Sequence, residues 1–246
     1  MKKLTLLAAT AIFMSTFVTS CKKGDGDPAI SLRSRKARLT GEWMVKKYDM
    51  NSTWTSTSGN TTTTTQNMEM FDGSTYTQTT IYNDGSKSMK EGTGEYKVTL
   101  NKDYTFEIVI NKNFTKETYT PNNGASVTTT LEPNEGKYST TYKGSWSFVG
   151  KDKNADFKNK ERVLLNITEE VQVYPDYDFM NGEWKSSTTT STYANGQNTM
   201  IWNLNTLKNN LIEIVGDIKS TYTNVDYNGN TSTSSQNGSM TIEMEQ

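Results

Sequence analysis

The sequence predicts an all-β fold, an antiparallel up-and-down meander closed into a barrel, with a two-sheet sandwich as the competing arrangement. Three observations carry this expectation. Threonine, tyrosine, valine, isoleucine and tryptophan are abundant after Thr40, and they suit a pleated strand. Proline occurs only at 28, 121, 133 and 175, so long stretches can pair without a missing donor. Several runs alternate apolar with polar residues, and no amphipathic helix of ordinary length is visible.

In chain order, the first clear pair is Tyr96, Val98 and Leu100, then the turn Asn101-Lys102-Asp103, then Tyr104, Phe106, Ile108 and Ile110. Two alternating runs across a short polar turn predict a β-hairpin. Further hairpin turns are expected at Asn83-Asp84-Gly85, Asn122-Asn123-Gly124, Ala194-Asn195-Gly196 and Tyr227-Asn228-Gly229, because Asn-Gly and Asp-Gly supply positive φ angles. Val163, Leu165 and Ile167 form another alternating run. Trp202 and Leu204 form the next, followed by Ile212, Ile214 and Ile218, and Ser239 to Met244 closes the series. The threonine tracts read as polar strand surface or loop, and Thr61 to Thr65, which lacks alternation, could form a loop tip. Closing such a meander removes both exposed edges.

The first twenty residues have a different character. Lys2 and Lys3 precede an apolar stretch, Leu4 to Val18, of the length of a cleaved signal and too short for a comfortable membrane span. Small residues then lead to Cys21, the only cysteine in the chain. Val18-Thr19-Ser20-Cys21 matches a bacterial lipobox, with residues 1–20 as signal peptide and Cys21 as the lipidated residue. A lone cysteine makes no internal disulfide, and acyl chains at roughly 0.8 kcal/mol per buried methylene would hold the protein on a membrane. Residues 21–38 are charged and turn-rich, and they are expected to form a flexible tether ahead of a single domain at 39–246. Lys22, where many inner-membrane lipoproteins carry Asp, favours the outer membrane. The run Lys22-Lys23-Gly24-Asp25-Gly26-Asp27 loosely resembles surface-export signals, so surface display is the further expectation.

Composition excludes several functions. Without the signal, 26 − 2 = 24 basic residues face 27 acidic ones, so nothing favours nucleic acid. Histidine is absent, which removes the commonest general base, Ser-His-Asp and Cys-His systems and most zinc sites. No phosphate-binding glycine loop or dinucleotide fingerprint occurs. Glu169, Glu170, Asp176 and Asp178 are carboxylates of the type that cleave glycosides, but their spacing selects no pair. Asp176-Tyr177-Asp178 lacks the spacing of a calcium loop. The expectation is a protein that is not an enzyme and uses no cofactor and no metal.

The run Leu39-Thr40-Gly41-Glu42-Trp43, just after an N-terminal arm, resembles the opening strand of the lipocalin superfamily. The closer likeness is to lipocalin-like lipoproteins of Bacteroidetes, which pair such a strand with a lipobox. A later Gly144-Ser145-Trp146-Ser147-Phe148 and the run from Trp202 to Leu211 are similar to strands of those proteins. The late arginine that packs over the first tryptophan in lipocalins has no counterpart, since no arginine follows Arg162. The resemblance implies a lipocalin-like barrel with Gly41, Trp43, Trp146 and Trp202 in its core. Trp54 and Trp184 lie in polar, threonine-rich surroundings and are the candidates for contact with a ligand or partner. The function this implies is a binding module for a small apolar ligand or a glycan at the cell envelope. The alternative is a structural or protein-interaction lipoprotein with a filled core and an envelope protein as partner.

Overall fold

The computed structural model describes residues 34–149, 161–225 and 231–246; Cys21, the signal segment and the Tyr227-Asn228-Gly229 turn lie outside them. Among the described residues, one short helix, α1 (Arg35–Leu39), precedes twelve strands. They are β1 (Gly41–Ser58), β2 (Thr61–Phe71), β3 (Thr75–Ile81), β4 (Lys87–Leu100), β5 (Thr105–Thr120) and β6 (Val127–Thr130). β7 (Lys137–Val149), β8 (Glu161–Asp178), β9 (Glu183–Thr192), β10 (Asn198–Leu207), β11 (Leu211–Val225) and β12 (Thr231–Glu245) follow.

Every pairing is antiparallel, and ten strands close into a barrel. The closure excludes the sandwich. Two ladders complete it, β12 along β1 and β10 along β8. The barrel narrows toward the end where the chain enters. There Gly41–Met44 pairs directly with Lys97–Leu100, which leaves β2 and β3 out of the ring. Beyond Met44, the β2–β3 hairpin wedges between β1 and β4. The ring therefore contains β1, β4, β5, β7, β8, β10, β11 and β12 at the narrow end and gains β2 and β3 at the wide end. The change of circumference is accompanied by bulges, whose extra residues are Lys46 in β1, Thr115 in β5, Thr168 in β8 and Asn205 in β10.

The narrow end is packed solid. Trp43 and Trp202 are fully buried and Trp146 nearly so, among Val98, Val163 and Ile212. The Gly-x-Trp pattern has a steric origin here. In a strand, residues two apart share a face, so Gly41 and Gly144 stand beside the inward Trp43 and Trp146. A Cβ on Gly144 would lie 2.0 Å from the Asn166 carbonyl and 3.0 Å from the Phe106 ring. Gly41 has φ +143°, which an L-residue adopts only under strain.

Three sequence expectations change. Residues 34–38 are not tether: Ser34 caps α1 and accepts from Ala37 N, and the helix plugs the narrow end. Leu39 and Arg38 are buried, Arg35 pairs with Glu161, and Arg38 donates to the Leu207 carbonyl. The arginine at the closed end thus comes from the N-terminal arm rather than a late strand. Second, Ala194-Asn195-Gly196 is no hairpin turn. β9 and β10 run along the same edge of β8, so the Tyr193–Gln197 segment is a break within one interrupted strand. Third, Tyr104 belongs to the turn before β5, with φ +69°, and its ring packs 5.0 Å from Trp146. For Thr61 to Thr65 the strand-surface reading holds and the loop tip does not: the tract begins β2 and pairs with β1.

Candidate functional site

Strand alternation decides what lines the wide end. Counting inward from the buried core positions, and allowing one residue for each bulge, the interior receives Tyr48, Met50, Ser52 and Trp54 from β1. The same register places Glu69 (β2), Tyr76 (β3), Tyr96 (β4) and Lys112 (β5) inside, and Tyr138, Tyr142 (β7) and Glu170 (β8) beside them. The apolar core therefore gives way to a belt of tyrosines, and the belt to carboxylates and amines.

These groups interact. Tyr48 and Tyr96 meet edge to face at 5.7 Å, and Tyr76 meets Phe114 likewise at 6.2 Å. Tyr76 OH donates to Glu69 Oε2 at 3.1 Å, and Lys112 Nζ donates to the same oxygen at 2.9 Å. Lys112 also stands 4.5 Å from the centre of the Tyr76 ring. Nearer the rim, Ser88 Oγ donates to Glu117 Oε1 at 2.6 Å, and Lys90 lies 3.9 Å from the other Glu117 oxygen. On β8, Glu170 Oε2 accepts from Tyr193 OH at 2.7 Å and Oε1 from Gln172 Nε2 at 2.6 Å. Tyr142 faces Glu170 across the β7–β8 ladder.

Burial pushes the phenols of Tyr48, Tyr76, Tyr96 and Tyr142 well above their ordinary range. Negative charge on Glu69 adds to this at all four, and Glu170 adds to it at Tyr142. The tyrosines are therefore neutral hydroxyl donors at any physiological pH. Together with the carboxylates they make a lining of rings and hydrogen-bonding groups rather than of alkyl chains.

The wall beside this lining is incompletely zipped. β11 pairs with β10 only over Ile212–Val215, whereas it pairs with β12 along its whole length. Among the described residues no ladder joins β9 to the upper part of β11. Tyr193 and Glu170 sit beside the lower end of this seam.

The two tryptophans singled out by sequence are not brought together. Trp54 is 37% exposed and occupies an inward position toward the rim, opposite Gln236 and Thr65. Its inward neighbours are polar: Gln236 Nε2 donates to Ser52, and Ser234 to Ser56. Trp184 is half-buried on the outward face of β9, 5.1 Å from the Tyr177 ring. With Phe179 and Met180, which are 89% and 94% exposed, it forms an aromatic tip on the β8–β9 hairpin. Asp176 and Asp178 are occupied by that hairpin, accepting from Ser187 and from Lys185 and Asn181 respectively. Among the described residues no cluster of carboxylates is arranged to hold a metal.

A groove of about 530 Å³ lies elsewhere, across β4, β5, β7, β8 and β9. Its row Glu95, Asn111, Ser139 and Val173 faces outward by alternation. It is open and carries no cluster of rings, so the interior, with its converging tyrosines and charges, is the better candidate.

Sequence reasoning missed Tyr48, Glu69, Lys112, Tyr142 and Tyr193. Unbroken alternation leads from Phe106, Ile108 and Ile110 to Lys112 and from Trp146 to Tyr142, whereas Tyr48 and Glu170 lie beyond bulges that no local sequence marks. No family model matches this chain, and no curated protein matches it.

Proposed function

We propose that this chain is a lipid-anchored envelope lipoprotein of the lipocalin-like kind whose barrel interior binds a small hydroxyl-rich ligand, a glycan unit. The observation that carries this reading is the change of lining, from a tryptophan-packed floor to a belt of tyrosines and carboxylates below a rim bearing Trp54. Sugar rings offer apolar faces to aromatic side chains and hydroxyls to carboxylates and phenols, and ligand sites combine such surfaces with a few placed polar groups. The same lining disfavours the apolar ligand, because each polar group it covered without a partner would cost about 1–3 kcal/mol. The packed floor and the lack of histidine favour binding over catalysis.

Anchoring rests on Cys21 and its lipobox, and the outer membrane on Lys22. α1 joins the barrel at the narrow end, opposite the wide mouth, so an N-terminal anchor leaves that mouth uncovered by the arm itself. Cys21→Ser should accumulate as uncleaved precursor without acyl chains, and mass spectrometry of native protein showing an unmodified Cys21 would remove this part. Ligand binding is tested by titrating the purified lipoprotein, in detergent, against an oligosaccharide panel while following tryptophan fluorescence and melting temperature. A saccharide at a hundred times its dissociation constant adds about 2.7 kcal/mol of stability. Trp54→Ala should weaken the hit. A panel without a single shift, together with saturable binding of a fatty acid, would replace the glycan with the apolar ligand.

A second reading has its own observation. The aromatic tip formed by Tyr177, Phe179, Met180 and Trp184 is an exposed apolar feature of the sort that marks protein contacts. On this reading, crosslinking in whole cells recovers a specific envelope protein, and Phe179→Ser abolishes its recovery.

A further inference from the structure

The interior uses one arrangement twice. Lys112 Nζ lies between the Glu69 carboxylate, at 2.9 Å, and the Tyr76 ring, at 4.5 Å from its centre. Lys90 Nζ lies between Glu117, at 3.9 Å, and the Tyr138 ring, at 5.7 Å. In both, an ammonium group is held by a carboxylate in front and the face of a phenol behind, an electrostatically matched pair of neighbours. Glu170 has the carboxylate and the tyrosines, Tyr142 opposite and Tyr193 donating at 2.7 Å. No lysine or arginine among the described residues pairs with it. The adjacent Lys143 is on the outward face, bound to Glu169 at 3.3 Å. The hydrogen bonds from Tyr193 and Gln172 orient the Glu170 carboxylate but bring no positive charge to it.

We propose that the Glu170–Tyr142–Tyr193 corner binds the primary ammonium group of an amino sugar, which enters beside the seam between β9 and β11. This inference rests on the reading of the interior as a glycan site and adds the charge of the ligand. The ammonium supplies the cation that this carboxylate lacks, and the sugar hydroxyls meet the half-buried phenols of Tyr48 and Tyr142. The charged inward side chains around it are Glu69 with Lys112 and Glu117 with Lys90, two internally neutral pairs. The uncompensated charge in this part of the interior is therefore that of Glu170.

The test uses the full lipoprotein in detergent and two disaccharides of one linkage, the β-1,4 disaccharide of glucosamine and cellobiose, which differ in carrying ammonium or hydroxyl at the second carbon. Isothermal titration should show the amino disaccharide binding at least tenfold more tightly. Glu170→Gln, which keeps an acceptor for Tyr193, should abolish that preference. Glu169→Gln, on the outward face, should leave it intact, and circular dichroism should show both variants folded. Equal binding of the two disaccharides, unchanged by Glu170→Gln, overturns the ammonium site and leaves the interior glycan site standing. A preference that survives Glu170→Gln also overturns it, because the charge is then read elsewhere. Binding of neither disaccharide overturns it as well, while the glycan reading itself is decided by the broader panel and the effect of Trp54→Ala.

Discussion

Replacing Trp43 with alanine is the sharpest test of how the narrow end is built. The indole is fully buried, so its removal leaves a cavity whose cost is about 3–5 kcal/mol for a large aromatic. Its Nε1 also donates to the Leu39 carbonyl at 2.9 Å, which ties α1 to the barrel floor. Losing that donor strands a buried acceptor, worth a further ~1–3 kcal/mol. The sum is a large share of the 5–15 kcal/mol that typically holds a domain together. Trp43→Phe separates the two contributions, since it keeps most of the apolar volume and loses the N–H. Trp54→Ala is the reference, because that side chain is 37% exposed, and it should stay within about 1 kcal/mol of the parent. Urea unfolding followed by far-UV circular dichroism reads all three, with the midpoint moving at constant slope. Similar small losses at Trp43 and Trp54 would refute the tryptophan floor, and a Trp43→Phe variant as weak as Trp43→Ala would show that the hydrogen bond dominates.

Gly144→Ala should destabilise the barrel by about 1–3 kcal/mol or more, because its new Cβ overlaps the Asn166 carbonyl backbone and a thermal melt would expose an unexpectedly neutral effect. Lys112→Met should cost about 3–5 kcal/mol in urea unfolding by leaving the Glu69 carboxylate, itself 15% exposed, without its cation, and adding Glu69→Gln should recover most of the loss. Alkaline titration should unfold the protein early: the four belt phenols have pKa values raised by folding, so their contribution is intact below the unfolded tyrosine value of about 10 and is lost as pH rises beyond it. Tyr142→Phe should flatten that loss above pH ~10, and an unchanged pH profile would mean that Tyr142 is solvated.

The sequence by itself determined the elements with short-range causes. Alternation marked the β4–β5 hairpin and the run Val163, Leu165, Ile167, and both are buried as that pattern requires. Gly41-x-Trp43 and Gly144-x-Trp146 marked the packed floor, because a two-residue repeat fixes which side chains share a face. Only tertiary structure decided the rest. The Asn-Gly at 195–196 has the composition of a hairpin turn, yet β8 is long enough to pair with both β9 and β10, so the turn became a break in one wall. Arg35 and Arg38 have the composition of a tether, yet Glu161 and the Leu207 carbonyl, more than a hundred residues away, draw them onto the closed end. The meeting of Glu69, Lys112, Tyr142 and Glu170 depends on closure and on two bulges, at Lys46 in β1 and at Thr168 in β8. Each bulge reverses which face every later residue of its strand presents, and a bulge is set by the neighbouring strand rather than by local sequence.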